Sequence, residues 1–117
     1  MFDDNLILLT DGYKFTHAPM FPPKTQHIYS YFESRGGEYS HVLFFGLQYL
    51  LKKLERGISM ENIDEAEEIV NSYFGNPLFN RTGWERIVRK HQGRIPLVIK
   101  AVEEGTLVNN KNVLITV

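Results

Sequence analysis

The chain of 117 residues sets 13 Lys and Arg against 14 Asp and Glu, for a formal net charge of −1, and contains no cysteine. So even a balance leaves no basic footprint for nucleic acid, and the missing thiols exclude a disulfide framework and thiolate metal sites and suit a reducing compartment. A hydrophobic fraction of 43% with 23% charged residues is that of a soluble globular fold, one domain at this length, able to bury roughly two-thirds of its unfolded surface.

The start, Met1-Phe2-Asp3-Asp4, is acidic, whereas a secretory signal needs a basic start and a longer apolar stretch. The longest apolar runs, Leu6–Leu9 and Val42–Phe45, fall far short of the ~18 residues that span a bilayer. A cytoplasmic chain with no membrane partner is the expectation.

Leu6–Leu9 leads into Thr10-Asp11-Gly12-Tyr13-Lys14, where Thr10 or Asp11 can cap a short helix through its side-chain oxygen. Pro19, Pro22 and Pro23 end that helix and impose an extended path. Gln26–Arg35 alternates, with His27, Tyr29, Tyr31 and Glu33 on one face and Ile28, Ser30 and Phe32 on the other, which predicts a strand. Gly36-Gly37 closes it with a turn or loop.

Leu43, Leu47, Leu50, Leu51 and Leu54 follow helical spacing and predict an amphipathic helix from Val42 to about Leu54, stopped near Gly57. Ser59 caps the next helix, whose buried stripe is Ile63, Ala66, Val70, Tyr73 and Phe74 and whose outer face carries Glu61, Asp64, Glu65, Glu67 and Glu68. Early acids suit the positive end of the helix dipole. Gly75 and Pro77 end it. A third helix starts near Asn80 or Thr82, with Thr82 and Glu85 at capping-box spacing. Trp84, Ile87, Val88 and His91 form its stripe, and Gly93 ends it. Ile95–Val102 reads as a mostly buried strand, Glu104-Gly105 and Asn109-Asn110 as turns, and Val113–Val117 as a last strand. A short N-terminal helix, a strand, three amphipathic helices and two or three strands make the class α+β. The apolar end at Val113–Val117 suggests a strand whose continuation or partner lies elsewhere, since termini are usually polar and frayed.

No complete catalytic constellation is present, so no residue is assigned a catalytic role. His17, His27, His41 and His91 lack the paired spacing of a metal site, and His91 reads as a packing residue on its apolar stripe. Tyr13, on a polar segment, can stack on a planar ligand or anchor the segment to the core. Arg35, at a strand end before two glycines, suits bidentate phosphate binding or a surface pair with Glu33 or Glu38. Arg86, Arg89, Lys90 and Arg94 form a solvated basic face near a helix C-terminus.

Taken in order, the motifs resemble a known family. Leu8-Leu9-Thr10-Asp11-Gly12-Tyr13-Lys14-Phe15-Thr16-His17 is similar to the opening of the nicotinamide phosphoribosyltransferases, as is Tyr29-Ser30-Tyr31-Phe32-Glu33-Ser34-Arg35. Phe45-Gly46-Leu47-Gln48-Tyr49, then Phe79-Asn80 with Gly83-Trp84, then Ile99-Lys100-Ala101-Val102 with Glu104-Gly105, then Asn112-Val113-Leu114 follow in family order. Each motif is weak alone; six in sequence cover nearly the whole chain.

The resemblance implies one N-terminal domain over residues 1–117, an incomplete part of a type II phosphoribosyltransferase that moves phosphoribosyl from phosphoribosyl pyrophosphate to nicotinamide in NAD salvage. It implies that Tyr13 stacks on the pyridine ring and Arg35 reaches the ribose 5′-phosphate, both from a neighbouring subunit, with Asp11 near the pyridine pocket. Nicotinamide and phosphoribosyl pyrophosphate are then the small-molecule partners, beside a homodimer mate or a complementing barrel chain. No cofactor is expected on this segment, and Mg²⁺ accompanies phosphoribosyl pyrophosphate in the complete enzyme. The stretch Gly36–His41 is shorter than the matching loop of animal members. The barrel half, which carries the catalytic histidine and the pyrophosphate-binding arginines, is missing from the sequence. Phosphoribosyl transfer needs preorganised charge or Mg²⁺ against a cationic sugar and a leaving pyrophosphate, which one Tyr and one Arg do not supply. Two other readings stand beside an enzyme segment: a binding or dimerisation module or remnant of the family without activity, and a segment of a nicotinate phosphoribosyltransferase.

Overall fold

The computed structural model describes residues 5–117; the acidic start at positions 1–4 lies outside them. Among the described residues the chain forms short 3₁₀ turns, three α-helices and five short strands, the α+β mixture that the periodicities imply. It divides into two compact units. One takes the described residues up to Lys24 together with Lys52–Pro96; the other takes Thr25–Leu51 and Leu97–Val117.

The first unit opens with 3₁₀ turns at Leu6–Leu8, Gly12–Thr16 and Ala18–Met20 in place of one short helix. Pro19 sits inside the last of these turns rather than ending a helix, because proline's fixed φ suits the first residues of a helical turn. Helix α1, Leu47–Arg56, runs up to the unit boundary and past it. Helices α2, Met60–Phe74, and α3, Arg81–His91, follow.

Helix α2 starts where local chemistry demands. The Ser59 side chain accepts from the Asn62 amide, and the Asn62 side chain accepts from the Ser59 amide, a reciprocal capping box with Asn in the usual Glu position. The Ser59 hydroxyl and the Glu61 backbone amide hold the neighbouring Glu61 carboxyl below its ordinary range. Ile63, Ala66 and Val70 are buried, one turn or two apart on a single face. Ile63 and Ala66 form the core of this unit with Ile7 and Ile58, and Phe15, Phe79, Trp84, Ile87 and Val88 pack against it. Burying a side chain such as Ile63 is worth roughly 1.5–3 kcal/mol. Trp84 is therefore a flank of the core, whose centre is α2.

Asn80 caps α3 by accepting from the Gly83 amide, so Thr82 lies inside the helix. Two residues of the expected stripes turn outward. His91 is exposed, standing in the last turn of α3 where Gln92 takes up a left-handed conformation. Tyr73 is 76% exposed, its ring edge against Phe74 at 4.9 Å between centroids. The acids of α2 are likewise more engaged than a solvated face would be. Arg81 donates to Asp64 at 2.8 Å, Glu67 at 2.6 Å and Glu85 at 2.8 Å, which holds its guanidinium above its ordinary pKa and ties α3 to α2.

The α1–α2 turn and the end of α3 meet backbone to backbone. The Ile58 amide donates to the Gly93 carbonyl at 2.9 Å. Gly93 has φ +80°, and a Cβ there would lie 2.2 Å from the Ile58 oxygen; a Cβ on Gly57, φ +72°, would lie 2.9 Å from the Gly93 oxygen. Only glycine meets both demands, a left-handed φ and no side chain.

In the second unit β1, Tyr31–Glu33, and β3, Lys100–Ala101, flank β5, Val113–Thr116, in a three-stranded antiparallel sheet. Strands β2, His41–Leu43, and β4, Leu107–Asn109, make a two-stranded sheet with Val42 opposite Val108. Residues 42–43, expected to begin the first long helix, are thus strand: their backbone pairs with a segment some 65 positions away, a partner that helical spacing cannot reveal. Gly46, φ +98°, separates the strand from α1. The expected strand over Gln26–Arg35 shrinks to Tyr31–Glu33, extended by reciprocal Ser30–Val117 backbone bonds. Ile95–Val102 shrinks to Lys100–Ala101 with one further bond from the Val102 amide to Leu114. Its apolar residues are not buried; Val98 is 75% exposed.

Gly93→Ala is expected to cost at least ~2 kcal/mol, a backbone clash added to left-handed strain of about 1–2 kcal/mol. Gly75→Ala at the α2 terminus, φ +67° with open space around it, should cost the strain alone. Urea unfolding of both variants measures the difference, and equal losses would mean that the Ile58 contact yields.

Candidate functional site

The polar segment that holds Asp11 and Tyr13 is anchored from its N-terminal side by Asn5, the one buried polar side chain among the described residues, at 2% exposure. Its carbonyl oxygen accepts from the Ile7 amide at 3.1 Å, and its amide nitrogen donates to the Asn62 carbonyl and to Glu65 Oε2, each at 2.8 Å. Ile7 enters the core beside it. Phe15 anchors the far side, packed on the same core and 6.3 Å from the Phe79 ring.

Between these anchors, Asp11 occupies the N-cap position of the Gly12–Thr16 turn. Its backbone carbonyl accepts from the Lys14 amide at 2.9 Å, while its side chain makes no cap bond and stays exposed. Thr16 closes the turn by donating to the Tyr13 carbonyl at 2.7 Å. The Tyr13 side chain is 57% exposed. It has the His17 ring at 5.5 Å between centroids and Lys14 Nζ at 5.4 Å from its own centroid. Tyr13 is therefore not a core anchor; Phe15 does that work. A groove of about 360 Å³ in this unit is lined by Leu8, Gly12, Phe15, Val70, Tyr73 and Phe74 among others, not by Tyr13.

Arg35 belongs to the second unit. Ser34 fixes the backbone before it: the Ser34 carbonyl accepts from the Lys111 amide at 2.8 Å, and its hydroxyl donates to Asn110 Oδ1 at 2.8 Å. Asn110 in turn donates to the Tyr39 carbonyl. Beyond Arg35, Gly36 and Gly37 take φ +110° and +146° with nothing near them, a backbone that few other residues adopt. Arg35 is exposed and makes no ion pair with Glu33 or Glu38 among the described residues. Asp11 and Tyr13 thus share one turn of the first unit, and Arg35 stands on a pinned strand end of the second.

Asn5 and Ser34 stand outside the residues that the sequence pattern singles out as candidates. Asn directly before an apolar run is a capping signal, and the Asn5–Leu6 junction carries it. Ser34 carried none, because its partners Asn110 and Lys111 are far along the chain. Among the described residues no group of three or more His, Asp or Glu could hold a metal ion, and no helix is long and apolar enough to cross a membrane.

The family model for the nicotinamide phosphoribosyltransferase N-terminal domain matches residues 5–99. The chain is also similar to a nicotinamide phosphoribosyltransferase of Xanthomonas campestris pv. campestris (strain 8004), with 44% identity over 115 residues. That match covers 97% of this chain and 24% of the relative, so the chain spans about a quarter of its length.

Because Tyr13 and Arg35 are exposed, Tyr13→Ala and Arg35→Ala should each change unfolding free energy by no more than about 0.5 kcal/mol. Thermal or urea unfolding checks this; a loss several times larger at either position would make that residue part of the scaffold.

Proposed function

The chain belongs to the nicotinamide phosphoribosyltransferase family, and we propose that it is the amino-terminal part of an enzyme that transfers phosphoribosyl from phosphoribosyl pyrophosphate to nicotinamide. The products are nicotinamide mononucleotide and pyrophosphate, and the step belongs to NAD salvage in the cytoplasm. The observation that carries this reading is the exposure of the two residues that the family's motifs mark. Tyr13 stands out from a turn anchored on either side, and Arg35 from a strand end pinned at Ser34, where scaffold residues would be buried.

In this reading Tyr13 lays its ring on the pyridine. A tyrosine loses little side-chain freedom on stacking, since two torsions orient the whole ring. Asp11, at the start of the same turn, lies beside the same pocket. Arg35 offers a planar fork of donors to the ribose 5′-phosphate, and the two glycines after it let that phosphate approach the backbone. Both residues serve a site completed by a second subunit or a barrel segment, which supplies the charges that stabilise the cationic sugar and the departing pyrophosphate. Mg²⁺ enters with phosphoribosyl pyrophosphate as part of the substrate.

The 117-residue chain alone, given nicotinamide, phosphoribosyl pyrophosphate and Mg²⁺, is expected to form no nicotinamide mononucleotide. Product formation that survives repurification and disappears in Arg35→Ala would overturn that expectation. In the complete enzyme, Arg35→Ala should weaken phosphoribosyl pyrophosphate binding by about 1.5–3 kcal/mol, the scale of a charge-assisted hydrogen bond, and Tyr13→Ala should weaken nicotinamide. Unchanged affinities in both variants would remove these residues from the site.

A further inference from the structure

Resting on the reading of Tyr13 as a pyridine contact, we propose that Asn5 is a positioning residue for the Tyr13 ring, acting through a clamp to α2 that Glu65 completes. Asn5 touches no exposed surface to speak of, yet spends its whole amide locally. Its oxygen takes the Ile7 amide and its nitrogen gives both hydrogens, one to the Asn62 carbonyl and one to Glu65 Oε2. The fully engaged position matters because the Asn5 amide is itself buried, and a buried group left without its partner is costly.

The clamp is placed where it sets the path of the turn. The Asn5 carbonyl accepts from Leu8, and the Leu6 carbonyl accepts from Leu9. From Leu9 to Asp11 the chain is exposed and has no core contact of its own. The next hold is Phe15, packed on the core. Tyr13 therefore stands on a span held at two ends, and its upstream end is held by Asn5 together with Leu6, Ile7 and Leu8 on the core. A ring presented in one orientation forfeits less entropy on stacking than one on a loose span. Loosening the upstream hold should thus appear in nicotinamide recognition while phosphoribosyl pyrophosphate recognition, which rests on Arg35 in the other unit, stays as it was.

The test is steady-state kinetics on the complete enzyme with Asn5→Ala, Glu65→Ala, Glu65→Gln, Tyr13→Ala and Ile63→Val, each also melted thermally. Asn5→Ala is expected to raise the KM for nicotinamide about tenfold, with the KM for phosphoribosyl pyrophosphate within about twofold of the parent. Glu65 is exposed, so Glu65→Ala keeps the fold even where Asn5→Ala does not. It should raise the nicotinamide KM a few-fold, and Glu65→Gln should restore it, because the glutamine oxygen accepts the same bond. Ile63→Val trims the core and leaves the three Asn5 hydrogen bonds in place; it should lower the melting temperature and leave both KM values alone. Normal nicotinamide KM in Asn5→Ala, or in Glu65→Ala where Asn5→Ala fails to fold, overturns the proposal. So does an equal rise in Ile63→Val, which would make the effect one of stability. If Tyr13→Ala itself leaves nicotinamide KM unchanged, the reading of Tyr13 falls first and the proposal with it. If Tyr13→Ala raises it and the clamp variants do not, the proposal alone falls.

Discussion

Everything in the first unit leans on one backbone contact, the approach of Gly93 to Ile58. It fixes the end of α3 against the turn between α1 and α2, leaving no room for a side chain on either glycine. With that contact made, Trp84, Ile87 and Val88 of α3 lie against Ile63 and Ala66 of α2, and the Arg81 cluster closes the same pair of helices from outside. The order of dependence is physical. Close-packed apolar surfaces tolerate little displacement, whereas exposed ion pairs contribute modestly and adjust. The ion pairs of Arg81 therefore follow the packing and do not set it.

The turn that bears Tyr13 inherits its position from the same core. It has no regular helix or strand to stiffen it, only 3₁₀ turns of three to five residues, a conformation used in short pieces because its hydrogen bonds are poorly aligned. Side-chain anchors substitute for regular backbone structure: Asn5 and Ile7 at one end, Phe15 at the other. In the second unit the equivalent task falls to Ser34, which spends its carbonyl and its hydroxyl on residues 110 and 111 and leaves Arg35 to solvent. Functional candidates on short segments beside rigid elements are a general pattern.

The parts of the fold legible in the sequence are those written in local chemistry. Ser59 before an acidic turn, Gly75 after an apolar stripe and Asn80 before α3 mark their helix ends because the capping partners lie within a few residues. What escaped depends on distant partners. Val42 and Leu43 carry helical spacing but pair with Leu107 and Val108. Ile95–Ile99 is apolar enough for a buried strand but reaches pairing only at Lys100. Tyr73 and His91 fall on the right helical phase and still face outward, since a stripe wider than its core leaves its ends exposed. For the site, the motif order pointed to Tyr13, Arg35 and Asp11 by resemblance. The residue pattern alone leaves Tyr13 between ligand and core, and Phe15 two positions on, packed inward, is the core anchor in its place. The Ser34 pin was invisible for the same reason as β2: its partners lie more than 70 positions away.

The sheet order β1-β5-β3 has a temporal meaning as well as a spatial one. The middle strand follows both of its neighbours in sequence, and it pairs Tyr31 with Thr116 across an interval of 85 residues. Neither outer strand has a neighbour in this sheet until Val113–Thr116 exists. On a ribosome adding roughly 5–20 residues per second, the first unit can complete its helices while Tyr31–Glu33 and Lys100–Ala101 still wait as open edges. The loop that must then close is long, and such closure is slow relative to helix formation. The backbone beneath Arg35 therefore acquires its native geometry after the helices of the first unit.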